Sequence, residues 1–238
     1  MEGFSYSNIF ETKGIEYIAV IIFFVILVPF WILLNRKAKL RREFQKRFGV
    51  LSANSLEVPQ GVFLGKNHAW THLDMSGIAR VGLDDLLFHI TGEVQLKVLK
   101  NAGDKITKGD DLIEISRNGK VLKISSPISG ELMDSNSLLS KSPELINQDP
   151  YKNGWVCKIK PSSWITETSG YYLAEEALKW TSKELARFKD FLSASTEKYS
   201  AQPAMVVLQD GGELADFPMS EMPKEVWQDF QTTFLNKP

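Results

Sequence analysis

Residues Gly109–Gly130 read GDDLIEISRNGKVLKISSPISG and contain two runs in which apolar residues alternate with polar ones. The runs, Leu112–Arg117 and Lys120–Ser125, are separated only by Asn118 and Gly119. An Asn-Gly pair between alternating runs is typical of a two-residue β-hairpin, because both turn residues must adopt positive φ. We therefore predict a hairpin whose apex, Asn118-Gly119, projects into solvent.

Charge is unevenly distributed along the chain. Residues 36–47 hold seven lysines and arginines and one glutamate, which leaves 21 basic and 28 acidic residues elsewhere, a net charge of −7. A single basic block in an otherwise acidic chain argues against a nucleic-acid partner. The one cysteine, Cys157, excludes an intrachain disulfide and is expected to be a buried core residue.

The N-terminal part of the chain contains an uncharged apolar run from Ile18 to Leu34. A bilayer core requires roughly 17–25 apolar residues in a helix, so this run is long enough to span one. Tyr17 and Trp31 near its two ends suit the membrane interfaces. Its acidic start is unlike that of a cleaved signal peptide. We predict a short outer tail (residues 1–16) and a retained transmembrane helix (residues 17–35).

The basic block that follows fixes the expected orientation, because positively charged flanks remain in the cytoplasm. Arg36, Lys37, Arg41 and Arg42 are expected to face membrane lipid at the end of the span. Residues 36–50 are predicted to form a basic juxtamembrane helix, either lying on the anionic leaflet or simply solvated. The sequence thus predicts a single-pass protein of the inner membrane, with its N-terminus outside and the bulk of the chain cytoplasmic.

From residue 61 onward, short alternating runs are separated by Gly, Asp and Asn, which indicates a mainly β domain, set here at residues 51–164. Several short motifs occur in it in a fixed order: His68 and Trp70, Val81-Gly82-Leu83, Pro127–Glu131, Asn136, Pro143–Asn147, Asp149-Pro150-Tyr151, Gly154-Trp155 and Lys158–Pro161. In these motifs the chain resembles the H protein of the glycine cleavage system over about residues 61–164.

The resemblance implies a flattened, lipoyl-domain-like β-barrel built of two small sheets, with a lipoyl-lysine at the hairpin apex. Aligned without gaps over Gly109–Pro127, the lysine position of the family falls on Gly119, and Lys120 lies one residue too late. Ser116 stands where the family usually has an acidic residue. We therefore expect no cofactor, and keep lipoylation of Lys120 as the alternative.

Residues 165–238 are predicted to form an α+β extension. Leu178, Leu185, Phe188 and Leu192 lie at helical spacing and predict one buried face of a helix over residues 173–199. A hairpin is expected around residues 210–212, and a last helix, starting at Pro223, would bury Trp227, Phe230 and Phe234. The extension is expected to pack on the β domain or on a partner.

The sequence offers little support for a catalytic site or a metal-binding site. His68 and His72 are four residues apart, but in a strand such residues lie roughly 13 Å apart, and His89 is the only other histidine. No nucleophile-elbow pattern or phosphate-binding loop is present. We predict neither a catalytic nor a metal site, and no enzyme activity.

Three functions remain open at this point. The first is a non-lipoylated docking or scaffold protein for a membrane-associated complex. The second is a genuine lipoyl carrier, modified at Lys120, that serves the enzymes of a glycine-cleavage-like or redox system. The third, a periplasmic adaptor, is disfavoured because the basic flank keeps the domain cytoplasmic and no coiled-coil hairpin interrupts it.

Overall fold

A computed structural model describes residues 17–30, 50–53, 55–199, 208–209 and 213–236. The chain divides into two compact units, residues 1–48 and 49–238. In the first unit, residues 17–30 form helix α1, in which every side chain, including Tyr17, is exposed. No helix among the described residues has the length and hydropathy needed to cross a membrane. Residues 31–49, with Trp31, Arg36, Lys37, Arg41 and Arg42, lie outside the described residues, so the predicted span is described only in part.

The second unit contains twelve strands within the described residues, and every strand pair is antiparallel. In chain order they are β1 (Val50–Leu51), β2 (Phe63–Leu64), β3 (Ala69–Leu73), β4 (Ala79–Leu83), β5 (Gln95–Val98), β6 (Lys105–Ile106), β7 (Asp111–Arg117), β8 (Lys120–Ser125), β9 (Gly130–Ser135), β10 (Cys157–Pro161), β11 (Leu208–Gln209) and β12 (Glu213–Ala215).

Two of the three sheets build the β domain. One has six strands in the order β2-β3-β4-β10-β9-β6, and the other has three in the order β5-β7-β8. This confirms the prediction of a β domain made of two sheets. The third sheet, β1-β12-β11, contains the antiparallel pair β11-β12 that the predicted hairpin requires, although its turn residues 210–212 lie outside the described residues. The addition of β1 to this pair was not predicted. It pairs Val50 with Ala215 and Leu51 with Leu214, and so joins the start of the β domain to the C-terminal extension.

The helices of the second unit are α2 (Asp85–Thr91), α3 (Leu138–Lys141), α4 (Leu145–Gln148), α5 (Trp164–Thr168), α6 (Ala174–Tyr199) and α7 (Lys224–Asp229), which continues as a π-helical segment (Phe230–Leu235). Asp84 is the N-cap residue of helix α2. The Asp84 carboxylate accepts a hydrogen bond from the Leu87 amide at 2.8 Å and satisfies an amide that would otherwise lack a partner.

Helix α6 confirms the helix predicted over residues 173–199, with one correction to its buried face. Leu185, Phe188 and Leu192 are buried, but Leu178 is about half exposed. The first turns of α6 instead bury Ala177 and Trp180, which belong to a separate hydrophobic cluster with Leu64 of β2 and Trp70 of β3. The helix therefore contributes buried side chains to two hydrophobic clusters.

The extension and the β domain share one hydrophobic core. A single cluster of buried side chains contains Ile115 and Leu122 from the hairpin strands together with Phe188 and Trp227 from the extension. Trp227, Phe230 and Phe234 are buried as predicted. The extension thus packs on the β domain, which was one of its two expected positions.

Candidate functional site

The hairpin formed by β7 and β8 has the predicted two-residue turn. Asn118 and Gly119 have φ of 50° and 76°, and Arg117 pairs with Lys120 at the base of the turn. Two central residues with positive φ define the turn type that suits the right-handed twist of the strands. A Cβ atom added at Gly119 would meet nothing within 4 Å. Residue 119 therefore crowns the hairpin in open solvent, and a glycine there presents no side chain.

Lys120 lies below the apex, and its amine is bound by the C-terminal extension. The Nζ atom donates hydrogen bonds to the carbonyl oxygens of Ser220 and Met222, each at 2.8 Å. It also lies 5.3 Å from the centroid of the Trp227 ring, whose face attracts cations. The Lys120 side chain is half-buried by these contacts. Its ammonium group is therefore a structural contact rather than a free end.

The surroundings of Lys120 also shift the pKa of its amine. Burial lowers the pKa of the Lys120 amine, and while the Glu221 carboxylate opposes this change, the Arg117 guanidinium adds to it. Lys123, on the same strand, behaves differently. Its Nζ lies 2.9 Å from Asp111 in an exposed ion pair, and the hydrogen bond to that carboxylate raises the pKa of Lys123. The two hairpin lysines thus occupy contrasting environments.

A second contact fastens the extension to the outer edge of β8. The Gln231 side chain accepts a hydrogen bond from the Lys123 amide at 2.7 Å and donates one to the Lys123 carbonyl at 3.0 Å. This paired arrangement replaces the contacts that a neighbouring strand would make, because β8 is the last strand of its sheet. The extension therefore lies along β8 from the base of the turn to the middle of the strand.

We call residues Phe217–Met222, the part of the extension that reaches Lys120, the cap. The cap is anchored on helix α2: the Phe217 amide donates to the His89 carbonyl at 2.8 Å, and the Met219 amide donates to the Ile90 carbonyl at 3.0 Å. The Trp227 indole N–H donates to the Met219 carbonyl at 2.8 Å. These bonds aim the carbonyls of Ser220 and Met222 at the hairpin.

Beside the apex lies a polar groove of about 330 Å³, walled by residues 93–95, residues 116–119 and Pro143. Its position is fixed by Arg117, whose Nη1 donates to the carbonyls of Thr91 and Glu93 at 3.2 and 3.1 Å. Ser116 is one of the residues that form this wall. The residues that line the groove include no catalytic arrangement of side chains.

The histidines are distributed over the fold and not gathered into one site. His68 is fully buried with Nδ1 2.8 Å from the Asp84 carboxylate, His89 Nδ1 lies 2.8 Å from Asp216, and His72 Nδ1 lies 2.9 Å from the Gly61 carbonyl. Among the described residues, no three His, Cys, Asp or Glu side chains are placed to hold a metal ion.

Cys157 is buried, and burial raises the pKa of its thiol to about 12. A thiol that stays protonated in this way is unreactive towards electrophiles.

Sequence reasoning placed Gly119 and Lys120 correctly but missed the partners of Lys120. Trp227 was recognised only as a buried residue of the last helix. Ser220 and Met222 bind through backbone carbonyls, which every residue possesses, so no sequence signal marks them. Gln231 pairs with backbone atoms about a hundred residues away in the sequence, and no sequence pattern marks this contact either.

Comparisons with known proteins agree with the motifs of the β domain. A family model described as "Glycine cleavage H-protein" matches residues 63–184. A "Probable glycine cleavage system H protein" of Thermococcus gammatolerans is 33% identical over 131 residues, which cover 55% of this chain and 97% of the relative. A "Probable glycine cleavage system H protein 2" of Sulfolobus acidocaldarius is 36% identical, over 48% of this chain and 78% of the relative.

A similar solved structure is that of a glycine cleavage system H protein from Mycobacterium marinum. It is 23% identical and has a TM-score of 0.41, and the match covers 44% of this chain and 87% of that structure.

Proposed function

Because the chain belongs to the glycine cleavage H-protein family, we propose that it is a membrane-tethered docking protein whose hairpin apex carries no lipoyl arm. The family consists of lipoyl carrier proteins and not of catalytic enzymes. Its members interact with partner enzymes of the glycine cleavage complex. In this proposal the chain retains a surface that binds partner enzymes but lacks the lipoyl group.

The observation that carries this proposal is the glycine at the apex. An arm that visits several enzymes has to be attached where a side chain can point freely into solvent. Residue 119 meets that condition, since nothing lies within 4 Å of a Cβ built there, but it has no amine to modify. A ligase that recognises a lysine by its position on the turn finds no side chain at this position.

Lys120 is a poor substitute because its amine is already engaged. Two carbonyl acceptors and the Trp227 ring hold it against the cap. Hydrogen bonds to a charged group contribute about 1.5–3 kcal/mol each when buried, and less where solvent screens them as at this partly exposed side chain. Modification of Lys120 has to begin with the loss of these contacts.

The membrane tether is the second part of the proposal. It is supported by the uncharged run from Ile18 to Leu34, by the basic residues 36–47 that follow, and by helix α1, whose apolar side chains are all exposed. We expect the inner membrane to hold the chain with its N-terminus outside. Fusion of a reporter that is active only in the cytoplasm to the C-terminus tests this, and an inactive fusion would contradict it.

The experiment that tests the missing arm uses Gly119→Lys. The full chain is incubated with a lipoyl ligase and its lipoyl donor. The masses of peptides covering residues 109–130 are then measured by mass spectrometry. We expect the variant to gain a lipoyl adduct at residue 119 while the wild type stays unmodified. A lipoyl adduct on Lys120 of the wild type would contradict the proposal. Affinity purification of the wild type in mild detergent should recover partner proteins, and recovery of the bare chain alone would contradict the docking role.

A further inference from the structure

The cap recognises the charge of Lys120, and not only its shape. Its two contact atoms, the carbonyl oxygens of Ser220 and Met222, can only accept hydrogen bonds, and an ammonium group offers three donors. The third contact, the Trp227 ring, attracts a cation through its face. A neutral group at this position would satisfy at most part of this arrangement.

We propose that Lys120 is an acylation-sensitive latch: acyl transfer to its Nζ atom and closure of the cap exclude each other. The acyl donor belongs to the class with an activated carbonyl, a thioester or an acyl phosphate. The inference concerns the latch itself and does not require that the protein dock partner enzymes.

The chemistry of the step is an ordinary aminolysis. The neutral amine attacks the carbonyl carbon of the donor, a C–N bond forms, and the C–S or C–O bond to the thiolate or phosphate breaks. The proton lost by the amine passes to the leaving group or to solvent. The product amide has one N–H and no charge, so it can serve only one of the two cap carbonyls.

The partial exposure of Lys120 favours this reading. Its side chain is only half-buried, so a donor can reach it once the two hydrogen bonds open. Acylation would then hold the cap in its released state.

Amide hydrogen exchange of the full chain, purified in mild detergent, reports the state of the cap. Four cap amides are hydrogen-bonded in the closed structure and should be protected: those of Phe217, Met219, Ser220 and Met222. Lys120→Met keeps the apolar stem and removes the donors, and Lys120→Arg keeps the charge. Lys123→Met serves as the matched control, since it removes a lysine from the same strand whose Nζ bonds to the Asp111 carboxylate and not to the cap.

We expect Lys120→Met to speed exchange of the cap amides by about tenfold or more, the change that corresponds to losing one charge-assisted hydrogen bond. Lys120→Arg and Lys123→Met should exchange like the wild type, and the amides of β3 and β4 should remain protected in every variant. Wild-type protection of the cap in Lys120→Met would overturn the proposal.

A second measurement applies the modification itself. The wild-type chain is treated with acetyl phosphate, the acetylated lysines are located by peptide mass spectrometry, and exchange is measured again. Chains acetylated at Lys120 should lose cap protection, and chains acetylated only at Lys123 should keep it. The proposal is overturned by an intact cap in Lys120-acetylated chains.

Discussion

Replacing Phe234 by alanine tests whether the C-terminal extension is part of the folding unit of the β domain. Phe234 is 1% exposed, stacks on Phe230 with ring centroids 4.7 Å apart, meets Phe188 edge-on at 5.8 Å and stacks on His68 of the β domain at 5.4 Å. Phe234 therefore contacts both the β domain and the rest of the C-terminal extension.

The size of the expected effect follows from this burial. Truncating a fully buried phenylalanine to alanine lowers the free energy of unfolding by about 3–5 kcal/mol, because the transfer free energy of the ring is lost and a cavity remains. The separate ring contacts do not add to this figure, because residues in mutual contact are not independent. With a urea m-value of about 2 kcal/mol/M, the midpoint should fall by roughly 2 M.

The assay is urea unfolding of the full chain in mild detergent, followed by fluorescence and by circular dichroism. Phe217→Ala is the matched control, because Phe217 lies in the same extension but is 40% exposed, and it should cost only about 1 kcal/mol. We expect one transition by both probes. A loss below 1 kcal/mol for Phe234→Ala, or an early transition confined to the extension, would refute the shared core.

Two further predictions concern the surroundings of the hairpin and of helix α2. Burial raises the pKa of Asp85 above 3.8, so the folded protein holds this proton more tightly than the unfolded chain does. The resulting stability is fully present below the ordinary pKa and is lost as the pH rises through the raised one. Asp85→Asn should therefore gain stability relative to the wild type as the pH increases from 4 to 7, and a constant difference in urea midpoint would contradict this. Gln231→Ala removes both bonds to the Lys123 backbone, so it should cost about 1–2 kcal/mol and speed exchange of the Lys123 amide, whereas the exposed Gln228→Ala should do neither.

The hairpin could be predicted from the sequence because its determinants are local. Asn118 and Gly119 have the backbone freedom that the turn demands, and the alternating residues of β7 and β8 follow from burial of one face. The start of helix α2 has equally local determinants, since the Asp84 carboxylate and the Leu87 amide are three residues apart.

The contacts of the extension were not predictable in the same way. The two bonds of the Lys120 amine join residues 100 and 102 positions apart and end on backbone carbonyls. The exposure of Leu178 also depends on tertiary structure, because periodicity alone does not show that the start of α6 packs on a different cluster from its middle. Sequence reasoning thus predicted the turn at Asn118 and Gly119 but not the contacts of Lys120.

The intact mass of the protein, purified from the cell that makes it, tests most directly the proposal that the hairpin carries no lipoyl arm. We predict the mass of the unmodified sequence, together with an unmodified peptide containing Asn118, Gly119 and Lys120. A mass increased by one lipoyl group, localised by fragmentation to Lys120, would contradict the docking role and identify the chain as a carrier.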